Sequence, residues 1–128
     1  MTREKVFISY SHQDNRWRER IVSQLRVLAR QNLIDIWDDT KIRVGSAWLE
    51  EIHQQMLQAR IAILLISASF LSSDFILDEE IPRLFTRHEQ DGMLIYPLLI
   101  RPCPWKAVPW LARMQIRPED GRPVSSFR

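Results

Sequence analysis

The chain is 128 residues long, 45% hydrophobic and 27% charged, which suits one globular domain (1–128) around one core and leaves no room for a second. A net charge of +2 is too small to imply nucleic acid by itself, and no apolar run approaches the ~20 residues of a membrane span. The start, Met1-Thr2-Arg3-Glu4, lacks the apolar stretch of a signal peptide, and the one cysteine, Cys103, has no partner for an internal disulfide, so a cytoplasmic location is expected.

Lys5-Val6-Phe7-Ile8-Ser9-Tyr10, rich in β-branched and aromatic residues, predicts a first strand. Ser11 and Asp14 supply capping groups for a helix over 15–31, whose Trp17, Ile21, Leu25 and Leu28 form one apolar stripe. Arg16, Arg18 and Arg20 alternate along that helix instead of forming one basic stripe, so they read as solvated surface. Leu33 to Trp37 predicts a second strand, and a polar loop runs from Asp38 to Gly45. Ser46 caps the next helix, with Leu49, Ile52 and Met56 facing in and Glu50 and Glu51 at its positive end.

The run Ile61-Ala62-Ile63-Leu64-Leu65-Ile66 has no alternation and predicts a strand covered on both faces. A hydroxyl-rich loop follows, then a helix over 77–89 with Ile81, Leu84 and Phe85 inward and Pro82 in its first turn; Asp74 and Asp78 read as caps. Met93 to Ile100 predicts a fourth strand, in which Pro97 must sit at a bulge or on a side without a partner. Residues 102–109 form a proline- and tryptophan-rich loop around Cys103, which reads as a packing residue, and Met114 to Arg117 predicts a short fifth strand. Residues 101–128 carry six basic and two acidic groups, against 12 and 14 before them. Nothing after Gly121 has a helical apolar pattern, so a piece excised from a longer protein is expected.

Alternating strands and helices imply a parallel sheet with right-handed crossovers. Ligands of such sheets sit beyond the carboxyl ends of the strands. Ser67 to Ile81 therefore brings hydroxyls, Phe75 and the acid pair Glu79-Glu80 to the end where such folds do their chemistry. Taken alone, two acids in a first turn read as complements of the helix dipole.

Several boxes together resemble the bacterial form of the Toll/interleukin receptor (TIR) domain. Phe7-Ile8-Ser9-Tyr10-Ser11, with Asp14 and Trp17 behind it, is similar to the family's first box. Trp37-Asp38-Asp39-Thr40-Lys41-Ile42-Arg43-Val44-Gly45 resembles its second strand and mobile loop. Leu65 to Phe75, running into Glu80-Ile81, resembles its third strand, loop and glutamate-bearing helix. Pro97 to Cys103 and Gly121 to Ser126 are similar to late segments of bacterial members, so the likeness spans nearly the whole chain.

The resemblance implies an α/β flavodoxin-like fold with a five-stranded parallel sheet, order 2-1-3-4-5, and helices on both faces. It also implies one of two functions. Some TIR domains cleave NAD at the nicotinamide–ribose bond, hydrolysing or cyclising the product, in bacterial defence or signalling; others are non-enzymatic adaptors that bind further TIR domains. In the enzymes NAD is substrate, with no cofactor, copies self-assemble, and a fused regulatory domain is common. Their catalytic glutamate maps onto Glu80, because an apolar residue, Ile81, follows it; receptor-type spacing from Ser73 selects Glu79 instead.

Losing nicotinamide leaves an oxocarbenium-like ribosyl centre, the charge that glycosidases stabilise with carboxylates. The leaving group is already cationic, so one carboxylate suffices and no general acid is needed. Tyr10 and Ser11, after the first strand, are candidates for holding ribose or phosphate; His12 reads as a solvated loop residue. Trp48 and Phe75 are candidates for stacking, or else pack the core or a loop. Asp38 and Lys41 match positions near the substrate in NAD-cleaving relatives, and Gly45 permits the loop's bend. Ser69 reaches a ribose or caps local amides. His12, His53 and His88 are isolated, so no metal site is expected.

Overall fold

The computed structural model describes residues 3–42, 47–118 and 120–126. Four strands, β1 (Glu4–Ser9), β2 (Ile34–Trp37), β3 (Ile61–Ile66) and β4 (Leu94–Leu99), form one parallel sheet in the order β2-β1-β3-β4. Adjacent strands are in step, with Phe7 beside both Trp37 and Ala62, and Ile66 beside Leu99.

Helix α1 (Asn15–Arg30) covers one face, where Trp17, Ile21, Val22, Leu25 and Ala29 meet Val6, Ile8, Ile36 and Leu65. The seam follows the i, i+4 row 17-21-25-29, which leaves Leu28, expected inside, 42% exposed. The opposite face carries α2 (Trp48–Gln58), α3 (Ala68–Leu71), α4 (Ile81–Asp91) and α5 (Pro109–Ala112) over Phe7, Leu64, Ile66 and Leu99. In α2, Ile52 and Met56 are buried, whereas Leu49 is at the surface. The expected cap Ser46 and the loop residue Gly45 lie outside the described residues. α4 ends at Gly92, whose φ of 71° and N–H donating to the Arg87 carbonyl close the helix in the left-handed conformation.

The fifth strand is a correction. Among the described residues its place is held by one parallel bridge, Leu98 to Arg117, with the Leu99 amide donating to the Arg117 carbonyl at 2.7 Å and the Arg117 amide to the Pro97 carbonyl at 2.8 Å. The next rung would need an N–H from Pro97, which has none. Pro97 thus sits on the outer side of the edge strand, where it stops the ladder.

The helix carrying the acid pair also starts earlier than its apolar pattern implied. Residues 74–75 are already helical, and Ile76–Glu80 form a π-helical turn before α4, with the Ile81 amide donating to the Ile76 carbonyl. A proline two residues into α4 removes an amide and crowds the preceding turn, and a π-turn accommodates both. Ser73, and neither Asp74 nor Asp78, caps this helix by accepting from the Ile76 amide at 3.3 Å.

Candidate functional site

Beyond the carboxyl ends of β1 and β2 lies a hollow of about 900 Å3, walled by the Tyr10–Asn15 segment, Asp39 and Thr40, α2 and the Ser73–Glu80 segment. Period-two alternation along β1 sends Phe7 and Ser9 to one face and Ile8 and Tyr10 to the other. Ser9, 1% exposed, donates its hydroxyl proton to Glu80 Oε1 at 2.6 Å. Glu80 itself is only 7% exposed although it lines the hollow. Burial pushes its carboxyl up to about 7; the Asp39 charge adds to that, while the Ser9 hydrogen bond and the His12 ring pull the other way.

A second carboxylate, Asp39, organises the rim. Its Oδ1 accepts from the Tyr10 hydroxyl at 2.7 Å, and its Oδ2 lies 2.6 Å from His12 Nε2. Burial, the bond to Asp39 and that carboxylate's charge raise the Tyr10 phenol well above its usual range, so it stays a protonated donor. Opposite, the rings of Trp48 and Phe75 meet with centroids 5.3 Å apart and planes tilted by 46°. The site thus combines two carboxylates, fixed hydroxyl donors and an aromatic wall, a set that suits a sugar carrying positive charge or a cationic ring. Among the described residues no group of three His, Cys, Asp or Glu side chains could hold a metal.

A family model described as a TIR domain matches residues 6–122. The chain belongs to the TIR-domain family. It is 34% identical over 122 residues to the uncharacterized protein y4lF of Sinorhizobium fredii, a match covering 95% of this chain and 38% of that protein. The chain therefore spans well under half the length of this curated relative, whose origin fits a bacterial type of TIR domain. Two solved structures are similar in fold. The TIR domains of the activated Roq1 resistosome that recognises the effector XopQ align with a TM-score of 0.64 at 22% identity, over 80% of this chain and 61% of that one. The TIR domain of the Toll-related receptor TRR-2 from Hydra magnipapillata aligns at 0.62 and 19% identity, over 87% and 80%.

Within this TIR domain, the residues singled out from sequence fall into two sets. Tyr10, Ser11, Trp48, Phe75 and Glu80 all line the hollow. Asp38 and Lys41 instead build the root of the loop: Asp38, 1% exposed, accepts from the Thr40 amide at 2.9 Å and from Arg18 Nη1 at 3.3 Å, and the Lys41 amine donates to the Ile36 carbonyl. Ser69 lies on α3, outside the hollow's lining. The acid pair diverges: Glu79 points away from Glu80, to within 3.6 Å of His53 and 3.9 Å of Arg83. Asp14, expected as a cap, makes no side-chain cap bond and is fully buried, accepting from the Ser67 hydroxyl. Cys103 is half-buried against the core, and burial raises its thiol.

Sequence reasoning does not single out Ser9 and Asp39, whereas His12, read as a solvated loop residue, is indeed largely exposed and meets the rim through Asp39. The alternation of β1 places Ser9 on the Phe7 face and could have flagged it. Asp39 pairs with residues 29 and 27 positions away, and no local pattern encodes that. No helix among the described residues is long and apolar enough to cross a membrane.

Proposed function

We propose that this TIR domain is an NAD glycohydrolase in which Glu80 steadies the ribosyl cation formed as nicotinamide departs. The observation that carries the reading is a nearly buried carboxylate, anchored by Ser9, on the wall of a hollow large enough for a nucleotide. The C–N bond breaks with its electron pair leaving on nicotinamide. Water then adds to the ribosyl carbon and releases a proton, giving ADP-ribose. Where a group of the same nucleotide intercepts the cation instead of water, the product is cyclic. Negative charge beside the developing cation lowers the barrier because it is fixed before the reaction begins. Bound cationic nicotinamide also favours the ionised form of Glu80 against the burial that opposes it. Trp48 and Phe75 offer the leaving ring a flat face, while Tyr10 and Ser11 stand near enough for ribose or phosphate. Asp38 and Lys41 contribute by shaping the root of the loop, and Ser69 remains a candidate only if the site widens on binding.

Assembly with other copies of the domain, and control by a fused regulatory region, belong to the same reading. They draw support from the resistosome likeness and from the greater length of the Sinorhizobium relative. The test is to incubate concentrated protein with NAD and follow nicotinamide. Release that Glu80→Gln lowers by about 10²-fold or more and Glu79→Gln preserves upholds the proposal. Release undiminished in Glu80→Gln removes this glutamate from the chemistry, and no release from assembled protein leaves a TIR–TIR binding module.

A further inference from the structure

A separate cleft of about 260 Å3 lies between α2 and α4 and shares no described lining residue with the hollow above. Its apolar side is Met56 and Leu57, and its polar side is His53 from α2 with Arg83 and Arg87 from α4. Two nitrogens there are buried without a hydrogen-bond partner among the described residues: His53 Nε2 and Arg87 Nε. His53 Nε2 stands 3.6 Å from Glu79 Oε2, beyond hydrogen-bond reach. Arg87 donates through Nη2 to the Ala59 carbonyl at 2.6 Å, and its Nη1 is 3.6 Å from Asp91, which leaves Nε unused. Arg83, half exposed at the mouth, is 3.9 Å from the same Glu79 carboxylate.

We propose that this cleft binds a small oxyanion of the phosphate type, held by His53, Arg83 and Arg87. A buried polar nitrogen without a partner is costly, and Arg87 Nε–H on α4 and His53 Nε2 on α2 both belong to side chains that line this one cleft. Guanidinium groups present donors in a planar fork that matches the oxygens of such an anion. The opposing charges are Glu79 and Asp91. Each is spaced too far from its arginine for a strong bond, so both can yield to a ligand that reaches the donors directly. A bound anion would tie α2 to α4, the helix that continues from Glu80.

The experiment titrates the whole chain with inorganic phosphate at constant ionic strength, with acetate and chloride as parallel arms. Saturable phosphate binding is expected, weakened about tenfold or more in Arg83→Gln and in His53→Gln, and unchanged in Arg26→Gln on the opposite face of the sheet. Thermal unfolding without phosphate should be unchanged in Arg83→Gln, which separates lost binding from lost folding. Phosphate behaving like chloride would mean the cleft holds only water, and overturns the proposal. Acetate binding as tightly as phosphate overturns the assignment of the anion, and equal weakening in Arg26→Gln reduces the effect to diffuse surface charge.

Discussion

Burial and the Ser9 hydrogen bond push the proton affinity of Glu80 in opposite directions, and burial wins. A carboxyl that titrates near 7 is half ionised in neutral solution, so a reaction needing the carboxylate should quicken as pH rises through about 7 and level off above it. A pH–rate profile flat from 5 to 8 would show that ionisation of Glu80 does not matter. Ser9→Ala removes the bond that favours the charged form, so the same profile should move to higher pH with its plateau lowered. Glu80→Gln keeps the shape and loses the charge; nicotinamide release should fall by roughly 10²–10³, the loss of one fixed electrostatic group, about 2.7–4 kcal/mol. The same substitution has the opposite effect on stability. An acid whose folded pKa is raised binds a proton that the unfolded chain has already released. Stability therefore falls as pH climbs from about 4.5 to about 7, by on the order of 3 kcal/mol, and stays low above that. Glu80→Gln should accordingly raise the melting temperature at pH 8 and leave it nearly unchanged at pH 4. An equal shift at both pH values would show that burial of the charge is not the cause.

At the scale of elements, the junction between α1 and the loop after β2 hangs on Arg18. Its guanidinium reaches Asp38 at 3.3 Å, takes a hydrogen bond partner in Asn15 at 2.8 Å, and lies over the Tyr10 ring at 5.6 Å. Arg18→Ala leaves the buried Asp38 carboxylate without its cation and should cost about 3 kcal/mol in denaturant unfolding. Adding Asp38→Asn should recover much of that loss, and simple additivity of the two would mean they do not interact. This junction also marks where the sequence stopped being legible. Strands and the long helix announced themselves through apolar runs and spacing, because burial imposes period two on strands and 3.6 on helices. The boxes around Tyr10 and Glu80 were legible as family-like strings. What they could not carry was the side-chain partner: Arg18 in a helix looked like solvated charge until its contact with Asp38, 20 positions on, was known. The π-turn was hidden for a related reason. Pro82 fits a first helical turn as well as it fits a bulge, and only the chain path from Ser73 decides between them. Among the described residues the fifth strand is reduced to one bridge by an absent N–H, in Pro97, a residue already awkward for a strand.

For the molecule as a whole, the weak point of the hollow is its outer wall. Trp48, packed on Phe75, keeps 53% of its surface exposed at the entrance to α2. A half-wetted aromatic wall lets water reach the carboxylates, and water screens the electrostatic advantage of Glu80. A second copy of the domain seated over Trp48 would remove that water without changing any residue of the site. If catalysis requires such seating, the active species is at least a dimer, and in the dilute limit its amount scales with the square of protein concentration. Nicotinamide release should then rise roughly fourfold for each doubling of protein when association is weak, and become proportional once assembly is complete. Tethering two copies with a flexible linker should restore activity at dilutions where the single domain is silent, because the linker supplies a millimolar effective concentration. Under that requirement Trp48→Ala should weaken the concentration dependence and the rate together, since the ring would then serve both the wall and the seat. Rates strictly proportional to protein down to nanomolar concentration, equal per site in tethered and single forms, would place the whole activity within one copy.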